Sequence, residues 1–311
     1  MKPIPSTKSP HTFAEFTTQK GARIYRIPMQ AFPGFWAYAY LVFVDDLIVL
    51  IDTGSGFGDC NEQLEEGFER VRSIEGLASV MDNLDYILIT HGHIDHIGGL
   101  PYLLERTDAK VGIHELDLRN LTNYEERIFV SVRRLREFLI EAGVGDEKRE
   151  EIMRVYEVNK ALFSSVPVDF TFEAIGMQLE NRFEFLHVPG HSAGHVVIRL
   201  DDYLFCGDHV LNGISPHQWP ERLTMNMGLG HYLGSLDKLD TWVGEDVKLT
   251  LSGHNEAIED VHDRIKQIKG IHAQRLERTL EILSEPRTIA DVSSQLFGEV
   301  GGYDILLSVE E

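Results

Sequence analysis

A chain of 311 residues with an ordinary 43% hydrophobic content is long enough for one large domain, or a domain with an appendage, around a full core. Its formal charge of −21 repels polyanions, which argues against broad, non-specific nucleic-acid binding and leaves room only for a local basic patch. Two cysteines, Cys60 and Cys206, are too few for a secreted disulfide framework and point to reduced cytosolic usage.

Met1–Ser6 is polar and proline-broken with no apolar signal core behind it, and no later run is long enough to span a bilayer, so a cytoplasmic protein without a membrane segment is expected. Residues 22–27 alternate as a half-buried strand, and 41–44 with 47–51 read as two more, joined at Asp45–Asp46. Between the first two lies Phe32–Pro33–Gly34–Phe35–Trp36–Ala37–Tyr38, read as an aromatic-rich loop. It is either a pocket wall, with Phe32, Phe35 and Trp36 holding an apolar substrate portion, or simply core filling. Asp52 ends the third strand, where its carboxylate either caps a turn or supports a metal-binding histidine from behind. A helix follows over 62–73.

The apolar run 86–89 then delivers Thr90–His91–Gly92–His93–Ile94–Asp95–His96–Ile97–Gly98–Gly99. At an extended strand end alternate residues point the same way, so His91 and His93 converge on one ion while Asp95 and His96, as the chain turns, reach a second. Three imidazoles and a carboxylate in one short loop are the mark of a zinc or iron site rather than of a polar surface turn. Gly98 and Gly99 are read as room for a tight turn before a helix near Leu100. His114, on a short strand, reads as a satisfied core or edge histidine.

From 124 to 163 the pattern is helical, broken at Gly143 and Gly145: a helical insertion at about 120–165. Its stripe of Ile128, Val132, Leu135, Leu139 and Ile140 must lie on something, whether the metals, the sheet or a second subunit of a homo-oligomer. Strands resume at 183–188, 196–200 and 203–206. The apolar strand ends carry His191 and His195, then Asp208 and His209, and after 249–251 His254. From about 260 a long helix with Ile265, Ile268, Leu276, Leu280 and Leu283 on one face runs to Pro286. Thr288 precedes a second helix, and an apolar Ile305–Leu306–Leu307 closes a small helical appendage over 261–311, apart from a catalytic domain at 1–260.

In order and spacing, His91-x-His93-x-Asp95-His96, His191, Asp208 and His254 resemble the metallo-beta-lactamase fold superfamily over most of residues 20–256. The resemblance implies an α/β (α+β) fold, a four-layer αββα sandwich. It implies two divalent transition-metal ions, most simply zinc with iron or manganese as alternatives. His91, His93 and His191 would hold the first, Asp95, His96 and His254 the second, with Asp208 bridging. Asp95 and Asp208 would be catalytic, orienting a metal-bridging hydroxide. His195 and His209 would lie behind the ligands or face substrate.

The trailing helices look similar to a branch of beta-lactamase-like proteins with a winged-helix-like tail, which includes ribonucleases. Yet acidic residues outnumber Lys plus Arg between His262 and Glu311, which suits RNA poorly. Leu211 stands where quorum-signal lactonases carry tyrosine, and a glyoxalase II-like basic cluster near the C-terminus is not found. The expectation is a hydrolase of a small-molecule ester, thioester or lactone. The alternative is a metal-dependent ribonuclease or phosphodiesterase, disfavoured by charge.

Overall fold

The computed structural model describes residues 11–159 and 163–298. In chain order its elements begin with β1 (Ala14–Thr17), β2 (Arg23–Phe32), β3 (Phe35–Val44), β4 (Leu47–Ile51), α1 (Cys60–Glu75), β5 (Tyr86–Leu88), α2 (Ile94–Ile97) and α3 (Leu100–Leu104). They continue with β6 (Lys110–Ile113), α4 (Leu118–Thr122), α5 (Tyr124–Glu141), α6 (Asp146–Asn159), β7 (Phe170–Thr171), β8 (Gln178–Leu179), β9 (Phe183–His187), β10 (Val196–Leu200) and β11 (Tyr203–Phe205). The last are α7 (Leu229–Val243), β12 (Leu249–Leu251), α8 (Val261–Ile282) and α9 (Ile289–Phe297).

Strands β1 to β7 form one sheet in sequence order, and β12-β11-β10-β9-β8 form a second. Period-two alternation explains the layering. On β3, Ala39, Leu41 and Phe43 face a core shared with α1 and α3, while Tyr38, Tyr40, Val42 and Val44 face the opposite sheet. On β10, Val196, Ile198 and Leu200 face that same interior, while Val197 joins Leu204 in packing on α7 and α8. Both faces of each sheet are therefore covered, which is why these strands read as nearly continuous apolar runs. The result is the expected αββα sandwich.

Three local expectations change. The aromatic stretch 32–38 is not a loop: β2 and β3 continue into a tight hairpin in which Phe32 pairs with Phe35 across Pro33–Gly34. Long cross-strand pairing outweighed the turn signal. Gly98 and Gly99 adopt ordinary right-handed backbone angles, so no tight turn requires them. Close approach does, since a Cβ on Gly98 would lie 1.9 Å from the Ser55 carbonyl oxygen and one on Gly99 2.3 Å from that of Thr53. Of the insertion's stripe, Leu135 and Leu139 are buried with Ile152, Met153 and Leu223, but Ile140 is 55% exposed. Ile140 directly follows Leu139, and successive residues point to different sides of a helix.

The first half of α8 belongs to the main core through Val261, Ile265 and Ile268, and Arg264 donates to the carbonyls of Leu211 and Ile214. Its second half turns Leu276 and Leu280 outward, and Leu283, just past its end, is exposed too. Thr288 and Asp291 cap α9 reciprocally. The apolar run at 305–307, and with it the end of the expected helical appendage, lies outside the described residues. No helix among the described residues is long and apolar enough to cross a membrane.

Candidate metal centre

Strands β4, β5 and β6 run parallel, as do β11 and β12, so their C-terminal ends share one rim of the sandwich. β9 is antiparallel to β10, which is antiparallel to β11, so its end joins them. The sequence-predicted ligands all follow these strand ends. Ligand atoms of His91, His93 and His191 lie within 4.8 Å of one another, and so do those of Asp95, His96, Asp208 and His254. The extended end of β5 supplies His91 and His93. The short α2 then carries Asp95 and His96 to the second group.

Asp208 stands between the groups. Its Oδ2 is 3.5 Å from His191 Nε2 and 3.2 Å from His254 Nε2, and its Oδ1 is 3.4 Å from His96 Nε2. Two ligand atoms on one tetrahedral ion, each about 2.1 Å from it, lie about 3.4 Å apart. The spacing fits shared coordination.

The outward nitrogens support the same reading. His91 Nδ1 is 3.1 Å from Thr90 Oγ1, His96 Nδ1 2.8 Å from Asp52 Oδ2, His191 Nδ1 2.7 Å from the His217 carbonyl, and His254 Nδ1 2.6 Å from the Trp36 carbonyl. With Nδ1 donating outward, each Nε2 lone pair turns inward. The Nε2 atoms of His91, His96, His191 and His254 and the Oδ1 of Asp208 are buried without a hydrogen-bond partner. Buried polar atoms are seldom left so, and a cation would satisfy all of them. The residues fit divalent metal ions.

Charge divides the groups. Burial, reinforced by neighbouring imidazoles, lowers His91 and His191 and brings His93 to about 3, so these three are neutral and ready to coordinate. In the other group burial opposes charge but is outweighed. Asp208 and Asp95 raise His254 to about 10, and His254 and His96 in turn hold Asp208 well below the usual carboxylate range. Two buried carboxylates thus call for positive charge in this group.

The remaining sequence candidates fall around this centre. Asp52, buried, accepts from Thr90 N and Thr90 Oγ1, both at 2.8 Å, and orients His96. His195 and His209 are fully buried and lie behind the ligands instead of facing solvent. His195 stacks on His91 at 4.6 Å and its Nε2 accepts from Asp208 N at 3.1 Å. Phe35 is 43% exposed with its ring 4.5 Å from that of His254, and Phe32 packs on Phe57 at 6.0 Å. Trp36 contributes its carbonyl to His254, while its ring stacks on His11 at 4.8 Å. Cys60 and Cys206 are free and buried, outside both groups.

Sequence reasoning missed Asp117. This buried residue accepts hydrogen bonds from Gly92, Ser192 and Gly194, which belong to the loops carrying the three clustered histidines. An Asp between a strand and a helix carries no local mark of such a role.

The metallo-beta-lactamase superfamily pattern matches residues 35–254, a stretch that includes every ligand candidate. The chain belongs to this superfamily. Its described residues include a His/Asp cluster able to hold metal. A metallo-beta-lactamase fold-containing protein of Sulfurisphaera tokodaii is 34% identical over 134 residues, 42% of this chain and 46% of that protein. A hydroxyacylglutathione hydrolase of Shewanella loihica is 27% identical over 125 residues, 40% of this chain and 33% of that protein. The match thus spans less than half the length of either relative. The crystal structure of a metallo-beta-lactamase family protein from Thermus thermophilus superposes with a TM-score of 0.75 at 23% identity, covering 92% of this chain and 90% of that one. At that identity the likeness speaks for the fold.

Proposed function

We propose that this superfamily member hydrolyses a small-molecule ester, thioester or lactone at a centre for two divalent ions. His91, His93 and His191 hold one ion, Asp95, His96 and His254 the other, and Asp208 lies between them. The observation that carries this reading is the convergence of four unpartnered Nε2 atoms and Asp208 Oδ1 in a buried rim. Zinc suits mixed imidazole and carboxylate donors, as do iron and manganese. Bound there, such ions supply Lewis acidity that polarises a carbonyl and acidifies water.

The protein's own groups supply the rest. Asp208 and Asp95 orient the attacking water, and a carboxylate oxygen of Asp95 takes its proton. Phe35, exposed beside His254, and the Phe32–Phe57 pair form an apolar wall for the substrate's acyl portion. An acyl substrate needs such a wall and no cationic track, which agrees with a net charge of −21. The partial likeness to a hydroxyacylglutathione hydrolase favours the thioester among these carbonyls.

The test is elemental analysis followed by a substrate panel. Metal-replete protein should hold two transition-metal ions per chain and turn over aryl esters, acyl thioesters or lactones, with Asp208→Ala as the inactive control. Fewer than one ion with activity retained would sink the metal reading. RNA cleavage that weakens steeply with salt, is lost in Asp208→Ala, and comes without acyl hydrolysis would replace the substrate class.

A further inference from the structure

One buried carboxylate near the centre belongs to neither ligand group. Asp117 precedes α4 but does not cap it with its side chain, and it is 2% exposed. Its Oδ2 accepts from the backbone N–H of Gly92 at 2.9 Å and from Ser192 Oγ at 2.7 Å, and its Oδ1 accepts from the N–H of Gly194 at 3.0 Å. Gly92 lies between His91 and His93, and Ser192 directly follows His191. A single carboxylate therefore ties the loop carrying two histidines to the distant loop carrying the third.

The fit is tight and specific to a carboxylate. A Cβ on Gly194 would come within 2.7 Å of Asp117 N and 2.8 Å of its Cγ, so the two loops meet at van der Waals distance there. Two of the three partners are backbone N–H groups that can only donate, and they address different oxygens. An amide in place of the carboxylate turns its NH2 toward one of them whichever way it is flipped, losing a bond and opposing two donors. Asp52 plays the matching part on the other side, where it holds Thr90 and His96. Asp52 also reaches His91 through Thr90 Oγ1, whereas Asp117 touches only the loops of the three histidines.

We propose that Asp117 is a positioning residue for the three-histidine site. It fixes His91 and His93 relative to His191, whose rings stand 5.0 Å and 4.5 Å from theirs, so that affinity for the first ion depends on it and affinity for the second does not. This rests on the two-ion reading above.

The experiment titrates metal-free wild type, Asp117→Asn and Ser192→Ala with zinc. Bound ions are counted after equilibrium dialysis, and the rise in melting temperature on metal addition is followed. Asp117→Asn should bind one ion as wild type does and the other roughly 10- to 100-fold more weakly, the usual effect of losing a group that orients a ligand. Its melting temperature should rise less on zinc addition than that of wild type. Ser192→Ala keeps both backbone bonds and should weaken the same ion by only about threefold, corresponding to a net hydrogen bond of about 0.7 kcal/mol.

Equal weakening of both ions would mark a merely structural role, and unchanged binding of both would remove the role altogether. Either overturns the inference. Should Asp117→Asn fail to fold, Ser192→Ala decides by the same criterion. Wild type holding fewer than two ions would refute the two-ion reading itself. Wild type and Asp117→Asn both holding two at equal affinity would refute only the role of Asp117.

Discussion

Gly98→Ala tests whether the second ligand group is held in place by backbone contact. Gly98 has φ −64 and ψ −22, angles alanine adopts readily, so propensity alone predicts a gain of up to about 1 kcal/mol. Space predicts the opposite. The new Cβ would lie 1.9 Å from the Ser55 carbonyl oxygen, and ordinary contact begins at about 3.4 Å, so α2 and the 53–56 loop must part by about 1.5 Å. Both obstructing atoms of Ser55 are backbone, and α2 is already bonded to that loop through Thr53 N and Thr53 Oγ1, each 2.8 Å from the His96 carbonyl. Overpacking of this kind typically costs about 1–3 kcal/mol. Because α2 carries Asp95 and His96, the displacement reaches the proposed metal ligands, and misplacement by about 1 Å can cost about 100-fold in rate. Urea unfolding of the metal-free protein should therefore show lower stability, and the metal-replete variant should show weaker retention of one ion and a turnover lower by about 100-fold. A Gly98→Ala protein more stable than wild type, with full metal content and turnover, would refute the reasoning.

Other outcomes follow from particular contacts. Ile268→Ala, inside the core beneath α8, should destabilise by about 2–5 kcal/mol, whereas Leu280→Ala on the same helix, 73% exposed, should change stability by less than about 0.5 kcal/mol. Urea midpoints compare them directly, and equal losses would show that α8 packs differently. Burial, aided by Arg275, holds His272 at about 4. The unfolded chain protonates this histidine near its ordinary value of 6.5 while the folded protein does not, so its contribution is intact above 6.5, declines as pH falls toward 4 and levels off below. The total is up to about 3 kcal/mol. The metal-free His272→Leu protein should lose less stability across that window than wild type, and an identical slope would exclude the assignment.

The sequence by itself marked the candidate ligands, because they stand in short-range patterns, and through them the resemblance that implied the sandwich. Three histidines and an aspartate in one loop, and the later His191, Asp208 and His254 each just beyond an apolar strand, need only alternation and strand ends to be read. Continuous apolar runs such as 41–44 and 196–200 likewise announce strands buried on both faces. Asp52 was legible because it too ends a strand.

Only the tertiary structure decided what depends on distant segments. Asp117 gains its role from donors 25, 75 and 77 residues away. The carbonyls of Trp36 and His217 orient His254 and His191 through backbone atoms, which every residue type possesses and no sequence motif can mark. Gly98 looked like a turn glycine, yet its lack of a side chain matters because another loop lies against it. The apolar spacing of α8 runs from Ile265 to Leu280, but the buried face runs through Ile265, Ile268 and His272 while Leu276 and Leu280 face outward. Periodicity states which residues share a face of a helix, and only the packed neighbours determine whether that face is covered.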